Sequence, residues 1–375
     1  MKLAVLLWER HRRPLGNLRL CRELAVAGEK LGWEISVVTP GGLLHSSPRE
    51  YRWNGTNWVM RPFRGADAVY NRVPHRRFEA QPSFFSALEQ LRLWGTAGWN
   101  PGFFSKDQVI RSWLARPDLA KRVPGTQLDF EPYQLMSEGD RWLLKPCDGR
   151  AGEGIIEVHR VSQNTWAWRW QRRGRVSKDR GSLERCSAFV RRYTRGRHYL
   201  AQRQIALATW RGHPFDFRTL WQKDSAGRWR LRGVGARAAG RDRMTTHVPW
   251  GGRIAHPHQA LEDSFGTRAE EILDEVLKTA ASAVAQLDRS QAGRLGEMSI
   301  DLGCDREGNV WLFEANAKPM RFDEPEIHPA YLDGVFETAR WAKGHLTGLG
   351  ESEGANRPPV SGRPAARGVP QSIRD

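Results

Sequence analysis

Gly296-Glu297-Met298-Ser299-Ile300-Asp301-Leu302-Gly303, followed after a short turn by Val310-Trp311-Leu312-Phe313-Glu314-Ala315-Asn316-Ala317-Lys318-Pro319, is the stretch whose reading decides the fold. Two apolar runs flank Asp305-Arg306-Glu307-Gly308-Asn309, so the stretch reads as a β-hairpin. Alternation along a strand puts Glu297, Ser299 and Asp301 on one face and Met298, Ile300 and Leu302 on the other. With Glu307-Gly308 as a two-residue loop, Asp301 falls opposite Glu314 and Asn316 falls opposite Ser299; a bulged turn would change that register. Carboxylates gathered so closely repel one another, and a hard cation removes the penalty. Mg²⁺ takes one or two protein carboxylates and completes its octahedron with phosphate oxygens and water. Asp301, Glu314 and Asn316 are therefore candidate metal ligands. The competing reading, a surface hairpin with solvated acids, fits less well beside Trp311, Leu312 and Phe313.

A second constellation lies upstream, in Leu143-Leu144-Lys145-Pro146-Cys147-Asp148-Gly149-Arg150-Ala151-Gly152-Glu153-Gly154-Ile155-Ile156. A strand delivers Lys145, and a loop carrying Gly149, Gly152 and Gly154 follows before the next strand. Glycines let backbone N–H groups approach phosphate oxygens, and the lysine supplies a point charge. An ordinary Gly-rich hairpin tip has the same appearance. The lysine precedes the glycines, so this is not a Walker loop. A third constellation is Phe215-Asp216-Phe217-Arg218-Thr219-Leu220 with the later Arg237. Both arginines suit a transferring phosphoryl group, and both equally suit salt bridges, for instance with Asp216.

The 375 residues allow two or three packed subdomains. Lys and Arg number 59 against 42 Asp and Glu, a net charge of +17 that favours an anionic partner or reflects a generally basic surface. Four scattered cysteines, without a CxxC pair, read as reduced thiols. The apolar start Leu3–Trp8 runs straight into Glu9-Arg10-His11-Arg12-Arg13, which reads as a first strand rather than a signal peptide. No run reaches the roughly 18–20 apolar residues of a membrane helix. A soluble, cytoplasmic protein is expected.

The opening segment reads β-α-β: a strand over Leu3–Trp8, a helix over Asn17–Leu31, a strand over Trp33–Val38. A third strand covers Ala68–Arg72, with Arg72 a candidate substrate contact. The Pro14–Asn17 turn lacks GxGxxG, so no Rossmann dinucleotide site is read there. A helix is expected over Ser105–Leu119, and strands with Gly-rich turns from Trp142 onward. Thr267-x-x-Glu270 reads as a capping box opening a long amphipathic helix. Residues 346–375, rich in Pro, Gly, Arg and Ala, read as a disordered tail.

In this order, Leu144-Lys145-Pro146 with its glycine loop, Tyr199–Ile205, Asp216-Phe217-Arg218, Gln222-Lys223-Asp224, Arg237, Gly251-Gly252 and the Gly296–Pro319 hairpin resemble the ATP-grasp superfamily. Within it they resemble the YheC/YheD family of endospore coat-associated proteins. The resemblance implies an α/β and α+β architecture: a small N-terminal open α/β domain (1–100), then an ATP-grasp fold of two β-rich lobes (101–345). It implies ATP with Mg²⁺, or Mn²⁺ in its place, held on Asp301, Glu314 and Asn316. Lys145 and Lys106 would hold phosphates under a Gly149–Gly154 lid, and Gln202, Arg203, Gln204 and Ile205 would form the hinge beside adenine. Arg218 and Arg237 would be the catalytic pair, stabilising the transferring phosphoryl group. The implied activity is an ATP-dependent ligase that joins an unknown carboxylate to an amine or other nucleophile through an acyl-phosphate.

Two departures favour an alternative, an ATP-binding spore-coat structural protein without turnover. Arg150 and Glu153 stand where the family has small polar and basic residues, and Thr246-His247 where it tends to Thr-Asn. Spore-coat components would be its partners. Nucleic-acid binding rests on charge and Trp and Arg content alone, with no recognition motif to support it.

Overall fold

A computed structural model describes residues 1–149, 152–240, 253–320, 322 and 324–346. Arg150, Thr246-His247, Gly251-Gly252 and the expected tail beyond residue 346 lie outside them.

The chain opens with β1 (Lys2–Leu6), whose Leu3–Leu6 run is fully buried, as a central parallel strand demands. The first strand ends there, and Trp8 belongs instead to a hairpin of β2 (Trp8–Arg10) and β3 (Arg13–Leu15). In α1 (Leu18–Lys30), Asn17 is the N-cap, its side-chain oxygen accepting the Leu20 N–H at 3.1 Å. The buried stripe Leu20, Cys21 and Leu24 seats the helix on the sheet, and β4 (Glu34–Val38) pairs with β1 in parallel. After α2 (Pro40–Leu43) come the antiparallel β5 (Arg49–Trp53) and β6 (Trp58–Pro62). On the other edge lie β7 (Ala68–Asn71) and, beyond α3 (Arg76–Glu79) and α4 (Pro82–Leu93), β8 (Ala97–Trp99). The sheet order is β6-β5-β4-β1-β7-β8.

The single helix expected over Ser105–Leu119 is two: α5 (Lys106–Leu114) and α6 (Pro117–Ala120). Pro117 cannot sit in a helix interior and instead opens the second. Ser105 is the N-cap of α5 but makes no side-chain cap bond; its hydroxyl donates to the Asp107 carboxylate instead. The second sheet runs β13-β12-β11-β10-β14-β9, built from β9 (Thr126–Gln127), β10 (Arg141–Pro146), β11 (Ile156–Ser162), β12 (Thr165–Arg172), β13 (Arg175–Gly181) and β14 (Tyr199–Arg203). α7 (Pro132–Ser137) and α8 (Leu183–Thr194) cover one face, where Trp142, Leu144, Trp166, Trp168 and Val190 form the lobe's own core. The other face carries Leu143, Lys145 and Gln202.

The third sheet, β18-β17-β16-β19-β20, holds β16 (His213–Lys223), β17 (Trp229–Ala238), β18 (Arg253–Ala255), β19 (Glu297–Cys304) and β20 (Val310–Asn316), with β15 (Thr209–Trp210) beside β16. Behind it pack α9 (Pro257–Phe265) and α10 (Ala269–Ser290), whose Ile272, Val276, Ala280 and Val284 meet Ile300, Leu302 and Trp113. Each large side chain so buried contributes about 1.5–3 kcal/mol. The expected capping box is not formed: α10 follows a 3₁₀ turn and has no side-chain cap bond. Finally α11 (Ile327–His345) buries Val335, Phe336 and Ala339 against Leu3, Val5, Tyr70 and Leu220. One apolar core thereby joins the first sheet to the third.

Candidate nucleotide and metal site

The hairpin reaches the expected register by an unexpected route. Pairing continues to Asp305 and Asn309, so the turn is the three residues Arg306-Glu307-Gly308, with Gly308 at φ 90°. That geometry is a type I turn closed by a glycine in the left-handed region. It alone would put Leu312 opposite Leu302 and shift the acids apart. A bulge at Phe313 restores the count, and Asp301 faces Glu314 while Ser299 faces Asn316. Gly303 leaves room for the Phe313 ring.

Across the other edge of β19, Arg218 stands directly opposite Asp301. Its Nε and a terminal nitrogen donate to the two carboxylate oxygens at 2.7 and 2.8 Å. Arg237, opposite Asp216 on β16, donates to Asp216 at 2.9 Å and reaches Asp301 at 3.4 Å. Asn316 Nδ2 donates to Asp301 at 3.4 Å. Burial would raise the Asp301 carboxyl's pKa, but Arg218 and Arg237 hold it well below the usual carboxylate range. The donors that converge, two carboxylates and a carboxamide, contain no sulfur or imidazole and suit a hard divalent cation.

The second sheet supplies the facing wall. Lys145 projects from β10, donates to the Gln202 side chain at 2.6 Å and lies 5.7 Å from the Phe313 ring centroid. Burial and the neighbouring Lys106 lower its pKa to about 8, against the pull of Glu314, Asp301 and Asp216. Lys106, the first residue of α5, pairs with Glu314 at 2.5 Å. Its backbone N–H bonds the Cys147 carbonyl, tying α5 to the end of β10. Gly149 turns back onto Pro146, and Gly154, at φ 82°, bonds the Gln171 carbonyl, so the loop is anchored at both ends.

Of the four residues expected at the hinge, Gln202 and Arg203 lie within β14. β14 runs through Gln202 and Arg203, so their backbone is committed: Gln202 lies between Leu143 and Thr126, and the Arg203 N–H bonds Gly125. Alternation turns the Arg203 side chain to the opposite face, over Trp142 and onto the Glu138 carbonyl. Gln202 instead serves through its side chain, on Lys145. Gln204 and Ile205 lie beyond the strand, and the Gln204 N–H bonds the Arg141 carbonyl at 3.3 Å. Glu153 does not oppose a phosphate here; its carboxylate accepts the Arg173 N–H at the β12–β13 turn.

Sequence reading missed the share of the N-terminal unit. Arg76 on α3 lies within electrostatic range of Glu314 and Asp148; burial lowers its pKa while those acids and Glu79 raise it. Arg72 is no free substrate contact: it is 9% exposed, ion-paired with buried Glu297 at 3.3 Å, and bonded to the Pro319 carbonyl at 2.9 Å. No local spacing could reveal that Arg76 faces Glu314 or that Arg72 pairs with Glu297, because each pair lies over two hundred residues apart in sequence. Nearby, Asp107, Cys147 and His198 bring donor atoms within 4.8 Å of one another. Burial pushes the Cys147 thiol up to about 12, leaving it protonated at neutral pH.

Two β-rich lobes closing on a lysine-lined cleft, with paired acids on a hairpin of the second, define an ATP-grasp fold. A family model described as YheC/D-like ATP-grasp matches residues 95–338. The chain belongs to that family. It is 26% identical over 308 residues to the endospore coat-associated protein YheD of Bacillus subtilis (strain 168), covering 80% of this chain and 65% of that protein. To YheC of the same organism it is 22% identical over 204 residues, covering 54% of this chain and 56% of that one. The chain thus spans about two thirds of the one relative and just over half of the other. Among solved structures, the D-alanine–D-alanine ligase of Bacillus anthracis aligns with a TM-score of 0.54 at 11% identity, over 92% of this chain and 99% of that chain. That likeness is one of fold.

Proposed function

We propose that the chain binds Mg-ATP and uses it to activate a carboxylate for ligation to an amine or a related nucleophile. The observation that carries this reading is the cross-strand row Arg218–Asp301–Glu314, with Asn316 beside it and Lys106 and Lys145 on the facing wall. Lys106, Lys145, Arg218 and Arg237 lie around Asp216, Asp301 and Glu314, and Arg76 lies within range of Glu314 with Asp148, Glu79 and Asp107 also near it.

Asp301, Glu314 and Asn316 would hold the metal, Mg²⁺ or Mn²⁺, which when bound neutralises the phosphate oxygens and fixes their geometry. Lys145 and Lys106 hold the phosphates, and Gln204 and Ile205 border the base. In the proposed reaction a substrate carboxylate oxygen bonds the γ-phosphorus as the β–γ bridging P–O bond breaks, releasing ADP. The amine nitrogen then bonds the acyl carbon, phosphate departs with its C–O electron pair, and the amine gives up a proton. Arg218 and Arg237 face the phosphoryl group's developing charge. Positioning and charge carry this chemistry, so no dedicated base is required.

The curated relatives' names motivate a second reading, nucleotide binding within a spore coat without turnover. One experiment separates them: ADP formation measured across a panel of carboxylic acids and amines, with Asp301→Asn as control. Substrate-stimulated ADP formation abolished by Asp301→Asn supports ligation; nucleotide binding without stimulation by any acid supports the structural reading.

A further inference from the structure

Residues 141–203 contain sixteen Lys and Arg against five Asp and Glu, so this sixth of the chain supplies +11 of its net +17. The surplus is not random in space. Two rows of cross-strand neighbours cross the second sheet: Arg141–His159–Ala167–Arg180, and Leu143–Glu157–Arg169–Lys178. Both rows lie on the face that carries Lys145, because Leu143 and Lys145 share their side of β10 and α7 and α8 cover the opposite one. Glu157, the one acid in the two rows, pairs with Arg169 and lies 4.0 Å from the His159 ring. Arg141, Lys178 and Arg180 are exposed and make no ion pair among the described residues. Burial lowers the His159 pKa, Glu157 opposes that, and Arg141 and Arg169 lower it further, which places these groups in one field.

Charges on an edge strand also discourage pairing with another chain, and that accounts for Lys178 and Arg180 on β13. It does not account for Arg141 on β10 or Arg169 on β12, both inside the sheet. Strands lie about 4.8 Å apart, so the stripe made by the two rows, which start at Arg141 and Leu143 on the strand that carries Lys145, runs roughly 15 Å outward. We propose that this stripe binds an acidic polypeptide, whose successive carboxylates lie along it while one enters the cleft as the group to be activated. The inference rests on the ligase reading and names its substrate class. An acidic peptide is favoured because the chemistry consumes a carboxylate, and an extended chain spaces same-side carboxylates about 7 Å apart, so its repeats can reach cations across several strands.

The test uses the full chain and labelled poly-L-glutamate, followed by fluorescence anisotropy over an ionic-strength series. Wild-type protein is expected to bind at low salt and to weaken as salt rises. The triple variant Arg141→Gln, Lys178→Gln, Arg180→Gln is expected to bind roughly tenfold more weakly, with unchanged melting temperature and unchanged Mg-ATP affinity. Absence of polyglutamate binding at low salt, or equal binding by the triple variant, overturns the inference. So does tighter binding of an oligoribonucleotide lost through the same three substitutions, which would assign the stripe to nucleic acid. Mg-ATP binding measured in the same preparation fails separately: without it the ligase reading falls, whatever the polyglutamate result.

Discussion

Arg218 on β16 and Asp301 on β19 stand opposite one another, and the guanidinium grips both carboxylate oxygens at 2.7 and 2.8 Å. Both are largely buried, at 16% and 10% side-chain exposure. Removing one partner of such a pair leaves an uncompensated buried charge, which costs about 3–5 kcal/mol. Asp301→Asn is therefore expected to lower the urea midpoint of the ligand-free protein. Adding Arg218→Met should recover much of that loss. Additive losses in the double variant would show that the two charges are not coupled.

Lys145 gives a pH signature. Its pKa in the ligand-free protein is lowered to about 8, mainly by burial and then by Lys106. Bound phosphates would raise it, so nucleotide affinity should be level below about pH 7 and fall as the free lysine loses its proton through pH 8. The decline approaches tenfold per pH unit until the pKa of the complex is reached. Lys145→Met should bind more weakly and without that slope. An identical slope in the variant would assign the titration elsewhere.

The first sheet is locked to the third through Glu297. Its carboxylate, 1% exposed, accepts the Tyr70 hydroxyl at 2.8 Å, the Gln222 amide at 2.8 Å and Arg72 at 3.3 Å. Burial raises its pKa while Arg72 and these hydrogen bonds restrain it. Arg72→Met should destabilise by about 3–5 kcal/mol, and adding Glu297→Gln should restore part of that. Limited proteolysis should release the first hundred residues faster from Arg72→Met than from wild type. Unchanged protection would mean that the apolar contacts of α11 suffice.

Gly308 closes the metal hairpin at φ 90°, and a β-carbon there would lie 2.9 Å from Ile272. Gly308→Ala should cost at least about 1 kcal/mol, read as a fall in melting temperature. Because turn and bulge together set the acid register, it should also weaken metal-dependent nucleotide binding. Stability lost with binding intact would show that the Phe313 bulge holds the register alone.

How much of this was legible follows from the range of each interaction. The facing of Asp301 and Glu314 could be read because both lie on one hairpin, although the two-residue loop was wrong and the bulge compensated for it. Lys145 was legible from its strand and glycine loop. The pairing of Lys106 with Glu314, the place of Arg76 and the Arg72–Glu297 pair join distant segments, and no local periodicity encodes them. That β14 stops at Arg203 was not legible, because nothing in Tyr199–Ile205 marks the strand's end. Neither β12 nor β13 was read as a strand: Arg-Val-Ser-Lys-Asp-Arg-Gly on β13 lacks apolar alternation, and the alternation of Trp166, Trp168 and Trp170 on β12 was overlooked.

The central claim is that Asp301, Glu314 and Asn316, opposed by Lys106 and Lys145, form a metal-dependent ATP site. Isothermal titration of ATP into the full chain, with and without Mg²⁺ and repeated with Glu314→Gln, tests it most directly. Saturable one-to-one binding that requires Mg²⁺ and is strongly weakened in Glu314→Gln is the predicted result. Absence of binding by the folded wild-type chain at millimolar ATP, or binding indifferent to both Mg²⁺ and Glu314, would contradict it.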